Sequence, residues 1–193
     1  MRRAVSTFCV ILFASLPSAA QRGPSATVSP QDLARIWDAE HVSPPSPPLL
    51  THAEVTAATP RFVWEYWTDV RHWVDPPATF RLEGLFAAGS QGVTLFPDRE
   101  PFRWVLQDVV PETSYTIASD QDGATVLFQW RFDPLPSGGT KLMQRIGVSG
   151  KDAARHASDI RSAFEPSLAA GMKRIALLLA EAQAHNRGRP TMG

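Results

Sequence analysis

The stretch TPRFVWEYWTDVRHWVDPP (residues 59–77) contains three of the chain's six tryptophans within ten residues. It opens on Thr59-Pro60, a helix-start signal, because threonine caps a helix N-terminus and proline fits the first turn. Apolar residues then recur at the three- and four-residue steps of one helix face, namely Val63, Trp67, Val70 and Val74. Asp75-Pro76-Pro77 stops the pattern. The stretch therefore predicts an amphipathic helix that reaches about Val74, with Trp67 in the core.

Strand-like runs precede and follow this helix. Residues 51–57 form the first. After the helix come TFRLEGLF (79–86), VTLF (93–96), FRWVLQDVV (102–110), SYTIAS (114–119), ATVLFQWRF (124–132) and TKLMQRIGVS (140–149). The links between these runs are short and rich in turn residues, and short links between successive strands predict an antiparallel meander.

A long amphipathic helix closes the chain. Its apolar stripe consists of Ile160, Phe164, Leu168, Met172, Ile175, Leu179 and Ala182. Pro166 lies inside the pattern, so we expect it to kink the helix or divide it in two. The whole order predicts an α+β fold, in which a curved antiparallel sheet of about six to seven strands wraps around the long C-terminal helix.

The N-terminus has the pattern of a secretory signal peptide. Arg2 and Arg3 precede an apolar run that ends in small residues, with a cut expected after Ala20. We therefore expect residues 1–20 to be removed and the protein to be exported, to the periplasm or out of the cell. The cut also removes Cys9, the only cysteine, so the mature chain would form no disulfide. Residues 21–48 are predicted to be an N-terminal helical arm and proline-rich linker, residues 49–185 the folded domain, and residues 186–193 a polar tail.

Composition argues against several kinds of partner. The formal net charge of the chain is zero, whereas nucleic-acid binding needs a basic face to neutralise phosphates. The apolar part of the signal pattern is too short for a comfortable membrane span, so the mature form is expected to have no stable span. The five histidines do not have the spacing of a metal site, and we expect neither a metal nor another cofactor. The sequence does not specify the oligomeric state.

Several phrases of the sequence resemble a known superfamily. They are TPRFVWEYWTDV (59–70), EGLFAAGSQG (83–92), and GTKL (139–142) leading to VSG (148–150), followed by the closing helix. Over roughly residues 49–184 the chain resembles the SRPBCC superfamily, also called START-like or helix-grip, in its polyketide cyclase/dehydrase-like branch. The resemblance implies a seven-stranded antiparallel sheet that grips a C-terminal helix, with an apolar tunnel between them. It also implies binding of lipids, sterols, polyketides or similar molecules, but no catalytic residue, because the superfamily has no universal catalytic motif.

Candidate ligand contacts come from the predicted inner faces. Aromatic residues at the helix edge and on the strands are typical both of tunnel walls and of ordinary cores. Tyr115 and Gln144 are polar groups placed among apolar ones, suited either to a structural hydrogen bond or to a ligand oxygen. The predicted ligand-binding set is Trp64, Trp73, Trp104, Tyr115, Phe128, Trp130, Gln144, Phe164 and Met172.

Three functions remain open at this point. The first is an exported protein that binds a small hydrophobic molecule (lipid, isoprenoid or polyketide-like) between the sheet and the C-terminal helix. The second is a cyclase- or dehydratase-like enzyme on the same scaffold, which would need a buried cluster of Glu, Asp or Tyr side chains. The third is a protein-interaction module, which a completely filled core would favour.

Overall fold

The computed structural model describes residues 48–187. Residues 1–47 and 188–193 lie outside this part, so the predicted signal peptide, helical arm and nearly all of the linker and tail remain predictions. The elements are β1 (Leu50–Thr56), α1 (Pro60–Trp67), β2 (Thr79–Leu82), β3 (Gln91–Leu95), β4 (Phe102–Val110), β5 (Ser114–Gln121), β6 (Ala124–Pro134), β7 (Thr140–Ser149) and α2 (Ala153–Arg187). A short 3-10 turn, Val70–His72, follows α1.

The seven strands form one antiparallel sheet in the order β1-β7-β6-β5-β4-β3-β2. Apolar residues alternate along the strands, so that one face of the sheet is buried. On β6 the inward residues are Ala124, Val126, Phe128, Trp130 and Phe132. Helix α2 packs along β1, β7 and β6 with the predicted apolar stripe buried from Ile160 to Leu179. The predicted fold class is therefore confirmed, with the sheet at the upper end of the expected strand number.

Helix α1 is shorter than predicted, because it ends at Trp67 rather than near Val74. Two side chains that compete for main-chain hydrogen bonds end it. The Thr68 hydroxyl donates to the Trp64 carbonyl at 2.7 Å, and the Asp69 carboxylate accepts from the Arg71 main-chain N–H at 3.1 Å. Short polar side chains of this kind favour turns over continued helix. The Asp69 carboxylate also accepts from the Arg71 guanidinium, which lowers its pKa to about 2.

Pro166 does not divide the closing helix, which runs without a break from Ala153 to Arg187. Of the two predicted effects of Pro166, a kink or a division of the helix, the division is therefore wrong. Proline removes one main-chain hydrogen bond, whose acceptor would be the carbonyl of Ser162. Both Pro166 and Ser162 are exposed, so water can satisfy that carbonyl. The buried stripe on the opposite side of α2 packs against the sheet on both sides of Pro166, so the helix continues despite the missing hydrogen bond. No helix within residues 48–187 is long and apolar enough to cross a bilayer.

A polar clamp of Thr56, Thr140 and Gln183 fixes the C-terminal half of α2 to the start of α1. The buried Thr56 hydroxyl donates to the Ala176 carbonyl, and the buried Thr140 hydroxyl donates to the Ala58 carbonyl, both at 2.7 Å. The Gln183 amide donates to the Thr59 hydroxyl at 2.9 Å and accepts from its main-chain N–H at 3.2 Å. Buried polar groups satisfied in this way specify one relative position of the packed elements.

Candidate functional site

An aromatic cluster fills the space between α1 and the inner face of the sheet. Ring centroids lie 5.5 Å apart for Trp67 and Trp130, 6.3 Å for Tyr115 and Trp130, and 6.0 Å for Trp67 and Trp73. These separations are typical of favourable aromatic pairs. We define the aromatic cluster as Trp64, Trp67, Trp73, Phe86, Trp104, Tyr115, Trp130 and Phe132.

Strand register brings the polar and aromatic candidates of the inner face into one row. Across neighbouring strands His52 pairs with Gln144, Gln144 with Trp130, and Trp130 with Tyr115. At the β1 end of this row the ring of His52 lies 2.9 Å from the Glu54 carboxylate, and both side chains are partly exposed. The row therefore runs from a solvated polar edge at β1 to a buried aromatic region at β5.

Three hydrogen-bond donors in the aromatic cluster are buried without a partner among the described residues. They are the indole N–H groups of Trp67 and Trp130 and the hydroxyl of Tyr115. Each of these side chains is only 1 % exposed. A buried polar group without a partner costs roughly 1–3 kcal/mol, and native structures leave few of them. All three lie in one cluster, where each could donate a hydrogen bond to an acceptor that the described side chains do not supply.

Two indole N–H groups of the cluster do have hydrogen-bond partners. The Trp73 indole N–H donates to the main-chain carbonyl of Trp67 at 2.7 Å. The Trp104 indole N–H donates to the Thr94 hydroxyl at 3.2 Å. These two tryptophans therefore have the satisfied hydrogen bonds of ordinary core residues, and the unpartnered donors are confined to the part of the cluster around Trp67, Tyr115 and Trp130.

Burial raises the pKa of the Tyr115 hydroxyl well above its usual value near 10. The nearby Trp67 indole N–H opposes this increase, because it favours the charged phenolate, but the two groups do not meet the geometry of a hydrogen bond. Burial is the larger effect. Tyr115 is therefore protonated at physiological pH and can donate a hydrogen bond, whereas it cannot act as a base there.

Phe86 covers the cluster from an exposed loop between β2 and β3. Its ring meets Tyr115 edge-on at 4.9 Å, Trp64 at 6.1 Å and Trp73 at 6.4 Å. Its neighbour Leu85 is 83 % exposed, and the surrounding loop residues are exposed as well. One inward aromatic side chain on an otherwise solvated loop separates Tyr115 from water.

No protein-family model and no curated protein sequence matches this chain. Solved structures do match. A protein of unknown function from Staphylococcus aureus, SA2116, is 12 % identical, with a TM-score of 0.54 over 70 % of this chain and 94 % of that one. A point mutant of norcoclaurine synthase from Thalictrum flavum, in complex with a transition-state analogue, is 15 % identical, with a TM-score of 0.54 over 69 % of this chain and 94 % of that one.

The same plant enzyme has also been solved with dopamine and hydroxybenzaldehyde, and that structure is 13 % identical, with a TM-score of 0.51 over 73 % of this chain and 88 % of that one. The antiparallel sheet and the long closing helix fit these structures. The chain has the helix-grip fold. The resemblance to START-like proteins in the sequence is thereby confirmed for the fold, which is all that identities this low can show.

On this helix-grip fold the nine predicted contact residues fall into two groups. Trp64, Trp73, Trp104, Tyr115 and Trp130 belong to the aromatic cluster. The other four lie nearer to α2: Phe128 meets Phe164 edge-on at 5.3 Å, Met172 is buried on α2, and Gln144 is buried in the inner row. No ligand contact of any of the nine has been tested, so their role in binding stays a prediction.

Sequence reasoning left three cluster members outside the candidate set. Trp67 is predicted to be a core residue, which its burial confirms, and its indole N–H has no partner among the described residues. Phe132 ends the predicted strand run 124–132 and is not in the predicted ligand-binding set. Phe86 was placed at the end of a strand, whereas β2 ends at Leu82 and Phe86 lies on the loop. A lone phenylalanine in the glycine- and alanine-rich EGLFAAGSQG phrase was the available signal for it.

Ionisable groups are sparse in the aromatic cluster. The carboxylates of Glu65 on α1, Glu83 just after β2 and Asp108 on β4 are all exposed. Among residues 48–187, no three His, Cys, Asp or Glu side chains are placed to share a metal ion.

Proposed function

We propose that this chain binds a small, uncharged and largely apolar molecule that carries oxygen acceptors, such as a lipid, isoprenoid or polyketide-like compound. The site is the aromatic cluster between α1 and the sheet. The observation that carries this proposal is the group of three buried donors without partners, Trp67, Trp130 and Tyr115. If the predicted signal peptide is removed as expected, binding takes place outside the cytoplasm.

The chemistry of the cluster determines what fits it. The two indole N–H groups can only donate, and the Tyr115 hydroxyl can donate as well as accept, so a ligand with acceptors such as ketone, ester or ether oxygens suits the cluster. The side chains around them are aromatic, and burial of apolar ligand surface contributes about 25 cal/mol per Å². A charged ligand would be desolvated with no opposite charge in the cluster to compensate it. The fold is compatible with small-molecule binding, since norcoclaurine synthase, which has the same fold, has been solved in complex with dopamine and hydroxybenzaldehyde.

A protein-interaction module with a filled core is the second candidate. The dense contacts among the rings favour it, because a module of that kind needs no internal ligand space. An inert core, however, would be expected to satisfy its indole and phenol groups, as Trp73 and Trp104 do. The enzyme alternative has less support, because it needs a buried cluster of Glu, Asp or Tyr side chains, and Tyr115 is the one residue of these types in the aromatic cluster.

Tyr115→Phe is the test that separates these functions. The change removes one unpartnered buried hydroxyl, so the free energy of unfolding should be unchanged or rise by up to about 1 kcal/mol. Affinity for a ligand that accepts a hydrogen bond from this hydroxyl should fall about three- to tenfold. Ligand-observed NMR titration with acetophenone, compared with urea unfolding of both proteins, measures the two effects.

Isopropylbenzene is the matched control ligand, because it has the shape of acetophenone without the carbonyl oxygen. The wild-type protein should prefer acetophenone, and Tyr115→Phe should reduce that preference while leaving isopropylbenzene binding unchanged. If neither compound binds to the wild-type protein, the filled-core module becomes the better interpretation.

Phe86→Ala should expose the cluster. Loss of the ring that covers Tyr115 and Trp64 is expected to raise the acrylamide quenching constant of the tryptophan fluorescence at least about twofold, since buried indoles are poorly reached by the quencher. Leu85→Ala is the matched control, because Leu85 lies next to Phe86 on the same loop and points into water. Equal quenching in the two variants would show that Phe86 does not close the site.

A further inference from the structure

A groove of about 220 Å³ lies on the outer face of the sheet, opposite to the aromatic cluster. Its side-chain walls come from four neighbouring strands, β4 to β7: Asp108, Ser114, Thr116, Gln129, Arg131, Met143 and Arg145. Residues on these strands alternate between the two faces, so the buried Tyr115 and Trp130 contribute their main chain to the floor. The groove is therefore separate from the proposed ligand site.

A β-bulge shapes one end of the groove. Gln107 pairs with Thr116 and Val110 pairs with Ser114, so two residues of β4 stand opposite the single Tyr115. Asp108, the first residue of the bulge, has a positive φ of 48°. The extra residue turns Asp108 to the outer face and lets Val109 pack against the core. Bulges often re-aim a side chain beside a binding site.

The groove has an unpaired charge of opposite sign at each end. Arg145 on β7 and Asp108 on β4 form no ion pair or side-chain hydrogen bond within residues 48–187. Arg131, by contrast, is paired with Asp133 at 2.6 Å. Three strand spacings separate β4 from β7, which is roughly 14 Å between main chains. An arginine side chain is long enough to reach across part of that distance when a ligand binds.

The space between the two charges is polar. Thr116 and Gln129 face each other across β5 and β6 and offer both donors and acceptors. Met143 adds one apolar surface.

We propose that this groove binds a zwitterion of about dipeptide size, with its carboxylate on Arg145 and its ammonium group at Asp108. A dipeptide spans about 7 Å. This length and the reach of the arginine side chain together match the separation between β4 and β7. An arginine fork recognises a carboxylate through paired hydrogen bonds. The polar middle of the groove accepts the peptide group of the ligand. A dianion such as a phosphate ester would meet repulsion from Asp108.

Three probes test the proposal on the wild-type protein by isothermal titration calorimetry: alanyl-alanine, N-acetyl-alanyl-alanine and alanyl-alanine amide. The free dipeptide should bind saturably, and blocking either end should weaken binding about tenfold, because a charged hydrogen-bonded group is lost each time. Equal affinity for the three probes, or no saturable binding of the free dipeptide at millimolar concentration, overturns the proposal.

Two variants assign the ends. Arg145→Gln should abolish the preference for the free carboxylate and keep that for the free amine, and Asp108→Asn should do the reverse. Asparagine tolerates the positive φ of this position, so the bulge is retained. Arg161→Gln, on the exposed side of α2, is the control and should bind all three probes like the wild-type protein. If it loses the dipeptide as Arg145→Gln does, the effect is one of overall charge and the assignment fails.

Discussion

Gly139→Ala is expected to lower the free energy of unfolding by about 3 kcal/mol. A methyl group at this position would overlap the main-chain carbonyl oxygen of Thr56, and neither atom belongs to a side chain that can swing away. Overpacking of this kind costs roughly 1–3 kcal/mol. The end of β1 must shift, and the shift strains the Thr56 hydrogen bond to α2 and that of Thr140 to Ala58, each worth about 1 kcal/mol. Urea unfolding followed by circular dichroism measures the loss.

Gly147→Ala is the matched control for this prediction. Gly147 lies on β7, which begins directly after Gly139, but a methyl group there meets no atom within 4 Å. Its effect should stay within about 0.5 kcal/mol, as for other substitutions away from packed features. If Gly139→Ala is as mild as the control, the polar clamp adapts, and α2 is not fixed to the start of α1 as tightly as its hydrogen bonds indicate.

The sequence predicted those parts of the fold that depend on periodicity. Alternation along β6 and the stripe on α2 each repeat over many residues, so a single exception such as Pro166 does not obscure them. Element ends depend on one or two side chains. Thr68 and Asp69 stop α1 by local hydrogen bonds, although the apolar pattern continues to Val74. Gly84, at φ 86°, ends the alternation that suggested a strand as far as Phe86.

The site was less predictable because it depends on contacts between residues distant in sequence. The inward positions of Trp67, Trp130 and Tyr115 indicate that these three residues meet. The donors of these three residues lack partners, whereas the indole N–H groups of Trp73 and Trp104 have them. This difference depends on ring orientations, which the spacing of residues in the sequence does not specify. The outer groove depends on a bulge at a non-glycine residue, Asp108, and a strand pattern gives no sign of one extra residue.

Trp130→Ala is expected to cost about 3–5 kcal/mol of unfolding free energy and to leave a space that indole can fill. Removal of a buried tryptophan loses its apolar burial and leaves a cavity. Its neighbours Trp67, Tyr115 and Phe132 are large rings held by further ring contacts, so they cannot collapse fully into the gap. Apolar cavities of this kind bind small aromatic molecules. Thermal unfolding with and without indole measures both effects.

Rescue by indole distinguishes a preorganised aromatic site from a soft core. Because a ligand that binds only the folded state stabilises it by mass action, indole at 100 times its Kd should return about 2.7 kcal/mol to Trp130→Ala. Trp130→Phe is the control: its ring occupies most of the space, so indole should stabilise it far less. A destabilised Trp130→Ala that indole does not rescue would mean that the surrounding rings close over the gap. The cluster would then be too adaptable to hold three donors in place for a ligand, and the filled-core alternative would gain over ligand binding.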